Sequence, residues 1–452
     1  MKFLKTSNYM LKYQKAKAKL VEYDIQEKDY PKFPLNSNEL SYPVVYILSR
    51  YAESVLENNI DDMKEFSPYL VAASQYFDAA VGANDRTEYD VDFLLSGAAS
   101  YFFSNDFGSA KVLCSEYFAR TNPKTNIPQK IMGNFLGYLL LEQDFPVIED
   151  NSDGEKVCRS LLAYYSTGKG AERIQGLLSE YRKVIYENDA PMEIYYVDIL
   201  FAIVMVALSK SSWRLLPKYS ELDQSLWSEY IKSSKAPRML WRAQQLIGEK
   251  GILKGQSAIV QLPTGVGKTK SIELIIRSSF TSDRATTAII IAPLRALCNE
   301  ITNDMMSAFG EEVLVNQFSD VLEKDFSLDL FSSSKLKILI CTPEKLSYII
   351  HHQVDVLDEI GLYIFDEGHM FDDGSRGVIY ELLMSEIRDH ILWQNQIILL
   401  SAVISNAEQI QKWLLGEDGV LASDPEIKPT PKTIGFTSQT KDIHYYSDDS
   451  TQ

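Results

Sequence analysis

The chain has 452 residues, of which 45% are hydrophobic and 11% aromatic, so it is long and apolar enough for two or three domains with real cores and is not a disordered chain. Its formal net charge of -17 repels phosphate at long range, so any groove for nucleic acid must be local or completed by something outside this chain. Its four cysteines are scattered, which excludes a disulfide framework and a paired-cysteine zinc site and predicts reduced thiols in a cytoplasmic protein.

Residues 1–234 predict an all-α unit. Leu, Ala, Tyr and Phe recur there at helical spacing, and short Gly-, Asn- and Pro-containing segments interrupt the pattern. Similar runs of small and aromatic residues at 72–77 and 98–102 favour stacked helix pairs with the aromatic side chains in a core. We predict a partner-binding or regulatory role for this unit. The predicted helices include Pro68–Val81, Asp90–Phe103, Gly108–Arg120 and Ile131–Glu142.

Two segments of this half have some properties of targeting or membrane sequences. Residues 1–19 are rich in lysine but lack the apolar core of a secretory signal, so we expect a solvated helix face there. Tyr195–Leu208 is apolar, but it is too short to cross a bilayer and contains Asp198. A buried helix is therefore predicted, and no contact with a membrane.

Near residue 235 the pattern changes to strands that alternate with helices. Six short runs are almost continuously apolar, which is typical of a parallel sheet with helices on both faces. Right-handed crossovers place the loops that follow these strands at one edge of the sheet. The fold class predicted is therefore α + α/β, with the α/β unit over residues 235–432. The predicted strands are Ser257–Leu262, Thr287–Ala292, Val313–Phe318, Lys337–Cys341, Leu362–Phe365 and Gln396–Leu400.

A glycine-rich loop follows the first predicted strand and leads into a helix. Its glycines let successive backbone N–H groups point at phosphate oxygens, and the helix adds the positive end of its dipole. In such a cradle Lys268 reaches the β- and γ-phosphates and the Thr269 hydroxyl binds Mg²⁺. The strict pattern needs glycine where Leu262 stands, and the alternative is a tight turn that serves packing only. The loop consists of Pro263, Thr264, Gly265, Val266, Gly267, Lys268 and Thr269.

Two acidic residues follow the fifth predicted strand. Asp366 and Glu367 would emerge at the carboxyl end of a parallel strand, where open α/β sheets bind ligands. Asp366 can hold Mg²⁺, and Glu367 can polarise the water that attacks the γ-phosphate. Alone, two such acids usually mark a solvated turn. Together with the glycine-rich loop they predict a magnesium-dependent nucleoside triphosphatase, with Lys268 and Glu367 as its catalytic residues.

Five segments resemble, in order, motifs I, Ia, Ib, II and III of the superfamily-2 helicases. The stretch from Asp366 to Gly377 is similar to the DExH segment of the Ski-like branch of RNA and DNA helicases. The resemblance covers residues 235 to about 432 and implies a RecA-like fold, ATP as the nucleotide and single-stranded DNA or RNA as the track. The segments are Pro263–Thr269, Ala292–Leu297, Thr342–Lys345, Asp366–His369 and Ser401–Val403.

The resemblance implies roles for further residues. Gln244 is similar to the glutamine that reads the adenine edge in that branch. Four residues at strand ends, Pro293, Arg295, Thr342 and Pro343, would grip the phosphates of a single strand. Thr342 and Pro343 also form an ordinary helix start, with threonine as the cap and proline in the first turn.

A third group, made up of His369, Ser401 and Ala402, would couple ATP hydrolysis to the nucleic acid. The residues alone indicate only a strand-end histidine at position 369. Val403 stands where the family has threonine and lacks the hydroxyl that could bond toward motif II, which puts the coupling to strand separation in question. Phe318-Ser319-Asp320 replaces a Thr-Gly contact of the family, so that role is not transferred.

The resemblance predicts an ATP-dependent helicase or translocase. Motors of this family close ATP between two RecA-like domains, and the polar residues 433–452 are predicted to be a linker toward a second domain beyond Gln452. Without the arginines of that domain we expect slow turnover. The alternative is an ATP-gated switch or scaffold that controls a partner such as an effector nuclease. The layout is similar to the helicase subunits of bacterial anti-phage systems such as Hachiman, whose helical extension docks a nuclease.

Overall fold

The computed structural model describes residues 37–82, 90–120, 125–148, 152–188, 190–317, 335–352, 354–372, 374–390, 395–402, 404, 406–425, 427, 433–437 and 443–447. Two positions at which the sequence departs from the helicase pattern, Val403 and Phe318–Asp320, lie outside these residues. The chain divides into two compact units, Met1–Arg214 with Thr430–Gln452 and Leu215–Pro429. The second unit thus begins before residue 235, where the composition changes.

Within residues 37–214 the first unit is helical, as predicted. Its helices are α1 (Ser37–Leu56), α2 (Ile60–Gly82), α3 (Asp90–Phe103), α4 (Phe107–Ala119), α5 (Ile127–Leu140), α6 (Asp153–Thr167), α7 (Ala171–Glu187) and α8 (Pro191–Lys210), and α9 (Ser212–Ser220) contains the boundary. The aromatic residues of both similar runs lie in the core, since Phe77 and Phe102 are fully buried.

Helix α8 is the centre of this unit and packs against α1, α3, α5 and α7. Ten of its residues are buried, which confirms the helix predicted within Tyr195–Leu208. In the part of the chain that is described, α8 is the one helix with the length and apolar composition of a bilayer span. A single helix of this kind is weak evidence for a membrane, because the core helix of a globular unit has the same composition.

The predicted helix start at Pro68 is wrong, because α2 begins at Ile60 and continues through the proline. Asn59 Oδ1 accepts a hydrogen bond from the Asp62 backbone N–H at 3.2 Å and satisfies one of the free donors of the first turn. Proline removes one backbone donor from the helix. The burial of Leu70 and Phe77, two and nine residues after the proline, offsets that loss.

The second unit is an α/β layer structure built on a seven-stranded sheet in the order β3-β4-β2-β5-β6-β1-β7. Its strand pairs are all parallel. Six strands match the predicted ones, and β7 was not predicted. The strands are β1 (Ala258–Gln261), β2 (Thr287–Ile291), β3 (Leu314–Gln317), β4 (Lys337–Cys341), β5 (Leu362–Phe365), β6 (Gln396–Ser401) and β7 (Val420–Ser423). The helices are α10 (Gln224–Lys232), α11 (Arg242–Glu249), α12 (Lys268–Thr281), α13 (Arg295–Phe309), α14 (Pro343–His352), α15 (Gly374–His390) and α16 (Ala407–Leu415).

Both faces of this sheet are covered, which confirms the predicted architecture. On one face Ile289, Tyr363 and Leu399 belong to a core that includes buried residues of α14 and α15. Successive side chains of a strand alternate between faces, so Ile290 and Ile364 point to the opposite side, where they are equally buried. A ligand can therefore reach this sheet only at the ends of its strands, where the loops begin.

The segment predicted as a linker contains two strands. They are β8 (Thr433–Thr437) and β9 (Ile443–Ser447), which pair antiparallel with Thr433 opposite Ser447.

Candidate nucleotide-binding site

The glycine-rich loop connects β1 to α12 at the carboxyl edge of the sheet. The Leu262 N–H donates to the Ser401 carbonyl at 2.9 Å, which fixes the start of the loop on β6. Gly265 and Gly267 have φ values of 83° and 90°, a region that side chains disfavour. A Cβ atom at Gly267 would also lie 2.8 Å from Gln244 Nε2. Both glycines are thus required by the backbone, as the sequence predicts.

The ammonium group of Lys268 is buried at the foot of this loop. Its side chain is 13% exposed, and Nζ lies 3.5 Å from Glu367 Oε1. Within the described residues Nζ has no hydrogen-bond partner. Such a group is costly to bury unless a ligand satisfies it. The donor is therefore placed to receive anionic oxygens, and a nucleotide phosphate fits it.

The two acids follow β5 directly, so that Lys268 and the acids meet at the same edge. Asp366 is buried, its N–H donates to the Ile291 carbonyl at 2.8 Å, and its Oδ1 accepts the Glu367 N–H at 2.9 Å. Burial raises the pKa of Asp366, and the neighbouring Glu367 charge raises it further, against the Glu367 N–H and Lys268. A bound cation stabilises the ionised form of such a buried carboxylate, so Asp366 is suited to be a ligand of Mg²⁺.

The Glu367 carboxylate lies between two basic side chains, those of Lys268 and His369. One oxygen faces Lys268, and the other lies 3.2 Å from His369 Nδ1. Glu367 also has a φ of 53°, an uncommon conformation for a residue with a side chain, found in strained functional segments. The geometry orients this carboxylate toward the glycine-rich loop.

Gln244 lies against the loop, at the end of a short chain of hydrogen bonds. Its Oε1 accepts the Trp241 N–H at 2.8 Å, and its Nε2 donates to the Gly267 carbonyl at 3.3 Å. The residue is 3% exposed. The structure thus brings Gln244 to the backbone of the glycine-rich loop.

The residues implied in nucleic-acid binding lie at the ends of β2 and β4, which are neighbours in the sheet. Pro293 and Pro343 line one depression, together with Glu344, Met370 and Tyr380. Arg295 is exposed on the first turn of α13. The Thr342 carbonyl accepts the Leu346 N–H at 3.1 Å, so this segment is indeed a helix start. The helix start and a phosphate contact are compatible, since the first N–H groups of an α-helix have no partner within the helix.

Ser401 and Ala402 end β6 beside the glycine-rich loop. Ser401 pairs with Gln261 in the register of the sheet and is fully buried. Its Oγ has no hydrogen-bond partner among the residues that are described. Ala402 is half-buried.

One contributor to the site was missed by sequence reasoning. The Tyr380 hydroxyl of α15 donates to the Asp366 carbonyl at 2.6 Å across a separation of 14 residues. A Cβ atom at Gly368 would lie 2.6 Å from Leu399 Cδ1, so glycine permits a close approach there. In the sequence Tyr380 is one more aromatic residue of a helical pattern, and no spacing rule marks it.

A parallel sheet with this loop after β1 and these acids after β5 defines a P-loop nucleoside triphosphatase unit. Residues 242–410 match the family described as DEAD/DEAH box helicase. This unit is therefore a DEAD/DEAH-box domain of the superfamily-2 helicases, with the RecA-like fold expected from the resemblance.

The curated relatives include a Hachiman protein and ATP-dependent DNA helicases. Hachiman protein HamB of Bacillus cereus is 26% identical over 314 residues, which are 66% of this chain and 28% of that protein. ATP-dependent DNA helicase Hel308 of Methanocaldococcus jannaschii is 30% identical over 174 residues, or 37% of this chain and 14% of that protein. The chain thus spans less than a third of the length of these relatives.

Solved structures similar to part of this chain include the DUF1998 helicase MrfA bound to DNA, with a TM-score of 0.37 and 20% identity over 45% of this chain and 30% of that one. Another is Dbp5 of S. cerevisiae bound to RNA and ADP BeF3, with a TM-score of 0.35 and 18% identity over 48% of this chain and 52% of that one.

Proposed function

We propose that this protein is an ATP-dependent helicase or translocase that moves on single-stranded nucleic acid. The observation that carries the proposal is the buried Lys268 ammonium, which has no hydrogen-bond partner in the described chain and lies 3.5 Å from Glu367. Within a DEAD/DEAH-box domain, such a donor at the base of a glycine-rich loop is best satisfied by the β- and γ-phosphates of ATP.

The residues around the loop have different roles in the hydrolysis of ATP. Lys268 neutralises charge on the transferred phosphoryl group, and its pairing with phosphate frees Glu367 Oε1. Glu367 then accepts a proton from the attacking water, while His369 holds the second carboxylate oxygen. Thr269 and Asp366 are the residues that would hold Mg²⁺, which supplies Lewis-acid charge neutralisation when bound.

The nucleic-acid track is proposed to cross the ends of β2 and β4. Pro293, Arg295, Thr342 and Pro343 lie there together, on the same edge of the sheet as the ATP site. Contacts at such positions are made to the backbone, so they fix the strand without reading its sequence. Since Hel308 is an ATP-dependent DNA helicase, DNA is the first track to test.

The test is a strand-displacement and ATPase assay on the complete gene product and its Glu367→Gln variant. We expect ATPase activity that single-stranded nucleic acid stimulates, and duplex unwinding that requires ATP. In Glu367→Gln both activities are lost while ATP still binds, because the amide keeps the shape of the side chain but cannot act as the base. Turnover in Glu367→Gln equal to that of the parent protein would refute this role.

An ATP-gated switch is the second candidate, and one observation favours it. The HamB alignment covers 66% of this chain, more than residues 242–452 can provide, so the similarity extends into the helical unit. In the switch, ATP would control a partner bound to that unit, and no duplex would be separated. The same assay distinguishes the two functions, because the switch predicts ATP-dependent release of a partner without unwinding by the parent protein.

A further inference from the structure

We propose that Tyr380 is a positioning residue for ATP hydrolysis, which holds the peptide bond between Asp366 and Glu367 so that both carboxylates face the glycine-rich loop. The inference rests on the proposed ATPase function and extends it to a residue outside the helicase motifs.

The hydrogen bond from Tyr380 to the acidic segment is short and fully enclosed. Its hydroxyl donates to the Asp366 carbonyl oxygen at 2.6 Å, and the side chain is 1% exposed. The Tyr380 ring meets Phe365 edge to face, with centroids 5.9 Å apart. Because the ring is packed against the strand that ends in the acids, its hydroxyl has a fixed position beneath them.

The backbone at Glu367 needs such a support. Its φ of 53° is the left-handed conformation, which costs energy in a residue with a side chain. The preceding peptide group is held at both ends, since Asp366 Oδ1 accepts the Glu367 N–H at 2.9 Å and Tyr380 binds the carbonyl. The Glu367 carbonyl in turn accepts the Met370 N–H at 3.0 Å. Tyr380 supplies the one side chain of this set that comes from outside the acidic segment.

Tyr380 also faces the proposed nucleic-acid edge. It lines the depression that contains Pro293 and Pro343. One side chain therefore contacts both the peptide that orients Glu367 and the surface where a strand would lie. A displacement of Tyr380 by a bound strand would reach the catalytic carboxylate of Glu367 through the peptide bond between Asp366 and Glu367.

The chain provides a matched control in Tyr363, which is also fully buried and also donates to a backbone carbonyl, that of Leu357, at 3.0 Å. That carbonyl lies before β5 and remote from its acidic end. Tyr380→Phe and Tyr363→Phe thus remove equivalent hydrogen bonds from equally buried tyrosines. The experiment measures kcat and KM for ATP, the melting temperature, and the crystal structure of each variant.

We expect Tyr380→Phe to lower kcat about tenfold and leave KM for ATP unchanged, because one buried hydrogen bond is lost from the peptide that orients the base. The melting temperature falls by a similar amount in both variants, but in Tyr363→Phe kcat stays at the parent value. Equal kcat values for the two variants would overturn the inference. If the parent protein hydrolyses no ATP, the proposed function fails, and the crystal structure decides the positioning role. A Glu367 φ that stays positive in Tyr380→Phe then contradicts it, and a return to negative φ supports it.

Discussion

Each unit contains a cluster of polar side chains around a carboxylate. The two clusters differ in whether their buried groups have hydrogen-bond partners among the described residues. In the helical unit Asp92 Oδ1 accepts hydrogen bonds from the Tyr196 hydroxyl and from Gln129 Nε2, the latter at 2.8 Å. Tyr196 and Gln129 are themselves buried. In the α/β unit, by contrast, Lys268 Nζ has no hydrogen-bond partner in the described part of the chain, and its nearest carboxylate oxygen is 3.5 Å away.

This difference separates a structural cluster from a binding cluster. Buried polar groups are normally paired, so an unpaired one indicates a group that is completed by a ligand or by water. The Asp92 cluster is satisfied by its own helices and fixes how α3, α5 and α8 pack. The Lys268 cluster is left open at the edge of a sheet where ligands bind. Substitutions in the two clusters should therefore have opposite effects on stability and activity.

The largest expected effect is that of Lys268→Met on activity. Methionine keeps the length of the side chain and removes the charge that faces the phosphates. We expect ATP turnover to fall by on the order of 100-fold or more, as for the loss of one preorganised transition-state donor. The melting temperature should not fall, because an ammonium without a hydrogen bond contributes little to folding. Steady-state ATPase assays and thermal unfolding measure both quantities.

Lys270 is the control, two residues further along the same helix. Its Nζ lies 2.6 Å from Glu273 Oε2 and 3.0 Å from the Lys235 carbonyl oxygen. We therefore expect Lys270→Met to lower the melting temperature and keep ATP turnover. If Lys268→Met proved the less stable protein, the distinction between open and completed clusters would not hold.

The next effect is on the stability of the α/β unit. Arg277 Cζ lies 4.2 Å from the Tyr230 ring centroid and 4.3 Å from that of Phe309, and Nε donates to Glu273 Oε1 at 2.9 Å. Glu273 is 2% exposed. Arg277→Met should lower the free energy of unfolding by about 2–3 kcal/mol, because it leaves a buried carboxylate with one partner fewer. Urea unfolding measures this difference.

The pair of Arg159 and Glu155, which also joins residues four apart on a helix but has an exposed arginine, is the matched control. Arg159 is 60% exposed, so Arg159→Met should change the free energy of unfolding by no more than about 0.5 kcal/mol. Because Tyr230 belongs to α10, the loss in Arg277→Met would include the contribution of a residue before 235 to the stability of the α/β unit. Equal losses in the two variants would argue against this contribution.

The sequence correctly predicts six strands of the sheet and the proximity of the loops that follow them, and the reason is physical. Strands buried on both faces are continuous apolar runs, and parallel strands deliver their loops to one edge, so Lys268 and Glu367 are brought together as expected. The edge strand β7 is only partly buried and has no such run. The contact of Tyr380 with Asp366 depends on how α15 is rotated against the sheet. That rotation is set by packing, which no local pattern records.

The smallest expected effect is a pH dependence of stability in the helical unit. Burial raises the pKa of Asp92, against the hydrogen bonds from Tyr196 and Gln129. In the folded state Asp92 therefore stays protonated to a higher pH than in the unfolded state. Its contribution lowers the free energy of unfolding as pH rises from the ordinary aspartate pKa through the raised one. Asp92→Asn cannot ionise and keeps an oxygen acceptor. Relative to the parent protein, its free energy of unfolding should increase with pH, by less than about 1 kcal/mol.

Urea unfolding at several pH values isolates this effect as the difference between parent and variant, since the other titrating groups are common to both. Asp223→Asn is a control with the opposite sign. Hydrogen bonds from the Ser225 hydroxyl and backbone lower the pKa of Asp223, so its contribution to stability is present above the ordinary pKa and is lost as pH falls. Relative to the parent protein, Asp223→Asn should therefore lose stability as pH rises. If the Asp92→Asn difference also decreased with rising pH, the ionised form of Asp92 would be the one the fold prefers, and its cluster would depend on charge rather than on shared hydrogen bonds.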